Sequence, residues 1–301
     1  MQLDPEVAAA LDAAAPVVAL ESSVIAQGLP YPTNLETARL LEATVRRAGA
    51  MPATIAILGG KLRIGLTADQ LEHLATGGDS VSKVSSRDFG PVLARGGAGG
   101  TTVAGTLTAA SLAGIKVFAT GGIGGVHRGD ALDISADIPA LASHRVAVVS
   151  AGAKSILDLP RTLEALETGG VPVIGYGCEH FPAFYARSSG LQLFARVEDP
   201  VEAAGVMQAH WGLGLSGGIL FTNPIPEDAA LERAELESWI ETALREAAEA
   251  DVVGKSLTPF LLDRLAAASG GRSLAANVAL LEDNARVAAA IAVAYSDLPK
   301  K

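Results

Sequence analysis

The chain is short of the residues from which several common kinds of site are built. It has one cysteine, Cys178, in 301 residues, which excludes an internal disulfide framework and any multi-cysteine metal centre. A buried, inert thiol is the ordinary reading of such a residue. Its 5 histidines, His73, His127, His144, His180 and His210, show no metal-ligand spacing, so no histidine zinc site is expected. Cations are few: 23 Lys and Arg stand against 33 Asp and Glu, a formal net charge of −10. A nucleic acid polymer needs a basic face that such a balance argues against. No apolar run reaches the roughly 20 residues that span a bilayer. The opening Met1-Gln2-Leu3-Asp4-Pro5-Glu6 is acidic where a secretory signal is basic, so a cytoplasmic protein without a membrane partner is expected. Neither a repeat nor a Pro/Ser-rich linker divides the chain, and one domain over residues 1–301 is the expectation.

What is abundant is small and apolar. Hydrophobic residues make up 49% of the chain, aromatics only 4%, and 33 residues are glycine. The apolar content falls in short Ala, Val, Leu and Ile runs, which suit buried parallel strands with Ala-rich helices packed on them. Strand-like runs at residues 17–20, 54–58, 81–85, 117–120, 146–150, 171–176, 193–197 and 219–221 alternate with helical stretches. Thr33 and Glu36 have the spacing of a capping box and predict a helix over 34–48 that ends on Arg46 and Arg47. Residues 236–250, 258–268 and 273–295 read as helices. The fold class expected is α/β: an α/β/α layered domain with a mostly parallel central sheet and a helical C-terminal third.

Several strand-like runs lead directly into residues that can do chemistry, which is where open α/β sheets bind ligands. The run at 117–120 opens into Gly121-Gly122-Ile123-Gly124-Gly125-Val126-His127-Arg128. These glycines let backbone amides approach a phosphate, and a helix starting after them would add its positive end; the alternative is tight-turn packing. His127 and Arg128 either contact that phosphate or fix the loop. Asp133 and Asp137 flank Ser135; either carboxylate can hold a hard divalent cation through water, or cap a helix. Lys154 follows a buried run and three small residues, so it is either a desolvated, nucleophilic amine helped by Lys83 or an ion-paired surface lysine. Glu21 leaves the first core strand as a proton donor or as an ordinary helix cap or ion pair. Asn277, on the late helix, is unremarkable by itself.

Taken in order, these segments resemble the pseudouridine-5'-phosphate glycosidase family, whose members are also described as IndA-like proteins. The resemblance spans nearly the whole chain. It rests on Ala19-Leu20-Glu21-Ser22-Ser23-Val24-Ile25, Lys83-Val84-Ser85, Thr101-Thr102-Val103-Ala104, residues 118–128, residues 133–137, Ala151-Gly152-Ala153-Lys154-Ser155-Ile156-Leu157-Asp158 and Asn223-Pro224-Ile225-Pro226. It implies reversible cleavage of the carbon-carbon glycosidic bond of pseudouridine 5'-phosphate to uracil and ribose 5-phosphate. It further implies Lys154 as the covalent, imine-forming nucleophile, Glu21 as the proton donor and Asp133 as the residue holding Mn²⁺ or another divalent cation. Lys83, the Val103 backbone, Ser135, Ala136, Asp137 and Asn277 would bind substrate, and the assembly would be a homotrimer. The link Gly129-Asp130-Ala131-Leu132 is shorter than the pattern of bacterial members. The rival readings are a lyase or hydrolase acting on another sugar phosphate, and a non-catalytic sugar-phosphate or nucleotide-binding protein.

Overall fold

The computed structural model describes residues 1–129, 133–252, 254 and 257–299; Asp130, Ala131 and Leu132 of the short link lie outside the described residues. Strands form at Gln2–Leu3 (β1), Val17–Leu20 (β2), Met51–Leu58 (β3), Lys61–Ile64 (β4), Val81–Val84 (β5), Ala98–Thr101 (β6), Val117–Ala119 (β7), Ala147–Ser150 (β8), Val173–Tyr176 (β9), Ala195–Val197 (β10) and Ile219–Thr222 (β11). They join into one 11-stranded sheet of order β1-β4-β3-β2-β7-β8-β11-β9-β10, with β6 and β5 branching from β3. Every pairing from β3 through β2 to β10 is parallel. The residues of β2, β7, β8 and β11 are buried along their whole length, which is why they read as unbroken Val, Ala, Leu and Ile runs rather than alternating ones.

The exception to parallel order lies at β3. Its first half, Met51 to Thr54, pairs with β2, while Ile55 to Leu58 runs antiparallel to β4, and Ala56 and Ile57 also run antiparallel to β6. The run expected over 54–58 is therefore the second half of a longer strand. Gly59-Gly60, directly after that run, is a two-residue turn with positive φ at both positions, the geometry that joins antiparallel strands tightly.

The helices are Pro5–Asp12 (α1), Thr33–Arg47 (α2), Ala68–Thr76 (α3), Phe89–Ala94 (α4), Val103–Ala113 (α5), Asp137–Ser143 (α6), Leu159–Thr168 (α7), Pro200–Gly212 (α8), Arg233–Glu249 (α9), Leu257–Ala268 (α10) and Arg272–Ser296 (α11). The capping box expected at Thr33 does not form: α2 already includes Thr33, and the preceding Pro32 has no capping hydroxyl. The entry is fastened instead by Asn34, whose Nδ2 donates to the carbonyls of Ile25 (2.8 Å) and Ala75 (2.9 Å). The reciprocal box occurs at α3, between Thr67 and Gln70. Helix α11 lies against β2, β7 and β8 and is flanked by α2 and α8. Its buried Ala276, Leu280, Val287 and Ile291 lie along one apolar stripe. Helices α5, α6 and α7 form a second contacting set, giving the layered architecture the apolar strands require. From Arg233 onward the described elements are all helical. Among the described residues no helix is long and apolar enough to cross a membrane.

Candidate active site

Residue Glu21 follows the last residue of β2, and Thr120 follows the last residue of its parallel neighbour β7, with Leu20 opposite Ala119. The sheet therefore sets the two side chains together, and Thr120 Oγ1 donates to Glu21 Oε1 while Ser23 Oγ donates to Glu21 Oε2. Between them Ser22 points the other way. Its Oγ donates to the Ile55 carbonyl (2.6 Å) and accepts from Thr101 N (3.0 Å), which fastens the end of β2 to β3 and β6. Neither Ser23 nor Thr120 was singled out from sequence. Their role depends on strand order, which the order of residues along the chain does not state.

The segment after β8 carries Lys154 back along the same edge. Ile123 bridges Ala153 in parallel register, and Lys154 N donates to the Ile123 carbonyl (3.1 Å). Gly152 makes the turn possible: its φ is +78°, and a Cβ there would collide with the Pro182 carbonyl oxygen. Lys83 comes from β5, beside Gly100 of β6.

The glycine run after Thr120 differs from expectation. Among the described residues no helix starts directly after it; residues 121–129 are held by isolated bridges, and the next described helix, α6, begins at Asp137. A helix N-terminus does not serve this loop. Its backbone is satisfied instead by Asp137, which is 6% exposed. One carboxylate oxygen accepts from Gly124 N (2.7 Å) and the other from Ala104 N (2.9 Å) in the first turn of α5. A Cβ at Gly124 would stand 2.8 Å from the same carboxylate, so glycine is needed for the approach. Asp137 thus caps a helix, as one sequence alternative held, but a neighbour's rather than its own. Arg128 is also consumed structurally, donating to Glu237 (2.9 and 3.2 Å) and to the carbonyls of Ser155 and Leu157, so it fixes the loop and does not reach into the site.

These elements enclose a cavity of about 200 Å³ whose wall includes Glu21, Lys83, Val103, Asp133, Ser135, Ala136, Asp137 and Lys154. Asn277 lines a smaller adjoining space of about 60 Å³ that shares Glu21, Ser23, Lys83, Lys154 and Thr258 and whose wall includes Val24, Phe184, Leu262 and Leu281 beside the Gln27 amide. Every residue expected at the site therefore borders one of two connected compartments. The larger is polar and charged, the smaller more apolar, with two amides. His127 borders the larger one. Burial pushes its pKa down, Asp133 raises it, and the Lys154 and Lys83 cations lower it, with the net effect of keeping the imidazole neutral at pH 7. Ser85 and Arg87, not singled out from sequence, also line it, and Ser85 is fixed by a reciprocal cap with Asp88, its N–H donating to Asp88 Oδ2 at 3.0 Å. Val103 begins α5, where a helix leaves N–H groups without an intrahelical acceptor. Cys178 lies outside both compartments, half-buried, its thiol pushed up by burial and donating to the Thr222 carbonyl.

For a metal, the donor set is sparse. No group of three or more His, Cys, Asp or Glu with ligating placement occurs among the described residues, and both Asp137 oxygens are already occupied by backbone amides. Glu21 is held by two hydroxyls and Asp88 by Ser85 N, so among the described residues Asp133 is the cavity carboxylate on which neither a hydroxyl nor a backbone amide is placed. That donor set fits a hard divalent ion that keeps most of its waters and leans on substrate oxygens, not a dedicated cage.

The chain is similar to known proteins along nearly its whole length. The family described as "Indigoidine synthase A like protein" matches residues 6–294. A pseudouridine-5'-phosphate glycosidase of Caldanaerobacter subterraneus subsp. tengcongensis is 57% identical, over 100% of this chain and 98% of the relative. One of Deinococcus radiodurans is 54% identical, over 99% and 96%. Among solved structures, the prealnumycin C-glycosynthase AlnA in complex with ribulose 5-phosphate superposes with a TM-score of 0.90 at 45% identity, covering 98% of this chain and 96% of that one. An indigoidine synthase A-like protein of Thermotoga maritima superposes with a TM-score of 0.88 at 37% identity, covering 93% of each.

Proposed function

The chain belongs to the family of indigoidine synthase A-like proteins, and on that premise we propose that it is a C-glycosidase that reversibly splits pseudouridine 5'-phosphate into uracil and ribose 5-phosphate. Support comes from the activity named for relatives at 54–57% identity. The observation that carries the mechanism is that Glu21, Asp133, Lys83 and Lys154, from separate elements, border one cavity. An N-glycosidase has only to protonate a leaving nitrogen. Here the leaving atom is a ring carbon, which explains the value of an amine at the sugar carbon.

In the cleavage direction the ribose C1′–O4′ bond opens, O4′ taking a proton from Glu21 while the Lys154 amine bonds to C1′ and passes its proton to the Glu21 carboxylate. Glu21 then gives that proton to uracil C5. The C1′–C5 bond breaks as its electron pair restores the C5=C6 double bond and the nitrogen lone pair forms C1′=N. Water hydrolyses this imine to the open-chain sugar phosphate, so one water is consumed overall. Thr120 and Ser23 hold the Glu21 carboxyl in place for the transfer. Lys83, Arg87, the Ser85 hydroxyl and the first-turn N–H of Val103 receive the phosphate and sugar oxygens, and Asn277 addresses the base edge from the smaller compartment. A divalent cation, Mn²⁺ or another, held by Asp133 largely through water would supply positive charge to the sugar-phosphate oxygens.

Incubation with pseudouridine 5'-phosphate and Mn²⁺ should release uracil, and the reverse mixture should condense; neither reaction occurring would end this reading. Borohydride should trap a sugar adduct on the wild-type chain and not on Lys154→Ala, and an undiminished adduct in the variant would remove Lys154 from its role. The likeness to a C-glycosynthase bound to ribulose 5-phosphate favours one alternative, condensation of a sugar phosphate with a different carbon nucleophile, which a panel of carbon-linked bases would distinguish. The proposal includes a cytoplasmic homotrimer, for which sedimentation equilibrium should return three chains per particle.

A further inference from the structure

A second cavity, about 420 Å³, opens at the other end of the strands that deliver the site. Glu21 and Thr120 follow the last residues of β2 and β7, whereas Val17 and Val117, their first residues, line this space. The chain brings two cations to it by register. Lys116 immediately precedes β7 and Arg145 stands two residues before β8; these strands are parallel neighbours with Val117 opposite Ala147, and Ala147 N donates to the Lys116 carbonyl at 2.8 Å. Both side chains line the cavity.

Neither cation has a carboxylate partner among the described residues. Arg145 donates to the Trp211 carbonyl at 3.2 Å and lies over the Trp211 ring at 5.4 Å. The Lys116 ammonium is half-buried, and burial followed by the nearby Arg145 lowers its pKa. Two cations therefore converge on one pocket with no carboxylate between them among the described residues, on a chain whose net charge is −10, an arrangement that attracts an anion locally. The rest of the wall is largely apolar, with Leu11, Ile115, Ala292 and Tyr295 prominent. Few convergent charges in an apolar concavity of several hundred Å³ is the usual make-up of a small-molecule site.

We propose that this cavity is a binding site, separate from the catalytic one, for a small organic anion whose phosphate or carboxylate group lies between Lys116 and Arg145 and whose flat or apolar body lies against Tyr295 and the aliphatic wall. The inference stands apart from the proposed reaction, because none of its residues borders the catalytic cavity.

The test is fluorescence titration of the full chain with anilinonaphthalene sulfonate, an anion with an aromatic body. One probe should bind per chain. Loss of one charge-assisted contact should weaken binding about 10-fold or more in Lys116→Gln and in Arg145→Gln, whereas Lys116→Arg should retain it. Because Arg145 is exposed, its variant should keep the wild-type circular dichroism, so a folding defect at Lys116 would not obscure the result. Lys154→Ala should bind the probe as wild type does, and the uncharged N-phenyl-1-naphthylamine should bind about 10-fold more weakly or worse. Displacement by phenyl phosphate or by benzoate would identify the preferred headgroup. Binding unchanged by Arg145→Gln, equal binding of the uncharged probe, loss in Lys154→Ala, or displacement by neither competitor would each overturn the proposal.

Discussion

Replacing Asp137 with asparagine removes a charge that the structure places between two backbone donors. The carboxylate accepts from Gly124 N at 2.7 Å and Ala104 N at 2.9 Å while only 6% exposed. Hydrogen bonds to a charged group are worth about 1.5–3 kcal/mol each, and an orphaned buried donor costs about 1–3 kcal/mol. Asparagine keeps one oxygen but turns an NH₂ toward the other N–H, so one bond is lost, one is weakened and a donor faces a donor. Relief from burying a charge offsets part of this, leaving a cost of about 3 kcal/mol. For a chain of this length that lowers the unfolding midpoint by roughly 6 °C. Because the same carboxylate ties the glycine loop to the start of α5, Gly124, Ser135 and Val103 should shift with it, and kcat should fall about 10-fold or more. Urea and thermal unfolding followed by circular dichroism give the stability difference, and uracil release gives the rate. Excess Mn²⁺ separates the roles: a structural clamp is insensitive to it, whereas a lost metal ligand is partly rescued. An unfolding free energy within about 0.5 kcal/mol of the parent, or activity restored by Mn²⁺, would refute the reasoning.

Three further outcomes are expected. Glu21→Gln keeps the shape of the side chain and removes the proton, so kcat should fall about 10² to 10⁴-fold, while borohydride should still trap the adduct from ribose 5-phosphate; loss of the adduct as well would show that Glu21 acts earlier. Gly152→Ala forces a side chain into φ +78° against the Pro182 carbonyl oxygen; the backbone alone costs roughly 1–3 kcal/mol, and an unfolding curve that does not move would contradict the geometry. Glu42 is half-buried, and its pKa is raised chiefly by that desolvation despite the Thr54 hydroxyl bonded to it at 2.6 Å. The folded state therefore favours the protonated acid, so its contribution to stability is present below its usual carboxylate range and is lost as pH rises through the raised pKa. Glu42→Gln should consequently stabilise the chain at pH 7 and make no difference near pH 4, as read from thermal midpoints at the two pH values.

Strand positions were readable wherever burial on both faces leaves an unbroken apolar run, as at β2, β7, β8 and β11. They were missed where side chains carry no such signal. In β6 the residues are Ala98, Gly99, Gly100 and Thr101, and glycine has nothing to alternate, so a strand read as a loop; a Cβ at Gly100 would stand 2.9 Å from the Ser22 carbonyl oxygen, a contact invisible in a linear pattern. Strand β4 alternates Lys, Leu, Arg and Ile over only four residues, too short a run to separate from a loop. The capping box at Thr33 failed for a local reason, since the proline before it, not the threonine, precedes the helix. The residues bordering the site were legible as strand exits and as pieces of a family resemblance, including Asp133 and Asn277, which composition and spacing alone left ordinary.

By itself the chain determined that no internal disulfide framework or multi-cysteine centre can form, that buried parallel strands with helices on them are its stable arrangement, and which strand ends carry acids and amines, because these follow from residue type and local order. Only the tertiary structure decided which of those ends meet. Strand order sets Thr120 beside Glu21, the turn at Gly152 carries Lys154 back to them, and the fold commits Asp137 to two amides and Arg128 to Glu237. Lys116 and Arg145, 29 residues apart in sequence, become neighbours at the opposite edge for the same reason. Contact between residues distant along the chain is a property of register and packing, and electrostatic and hydrogen-bonding energies depend on those distances, not on sequence separation.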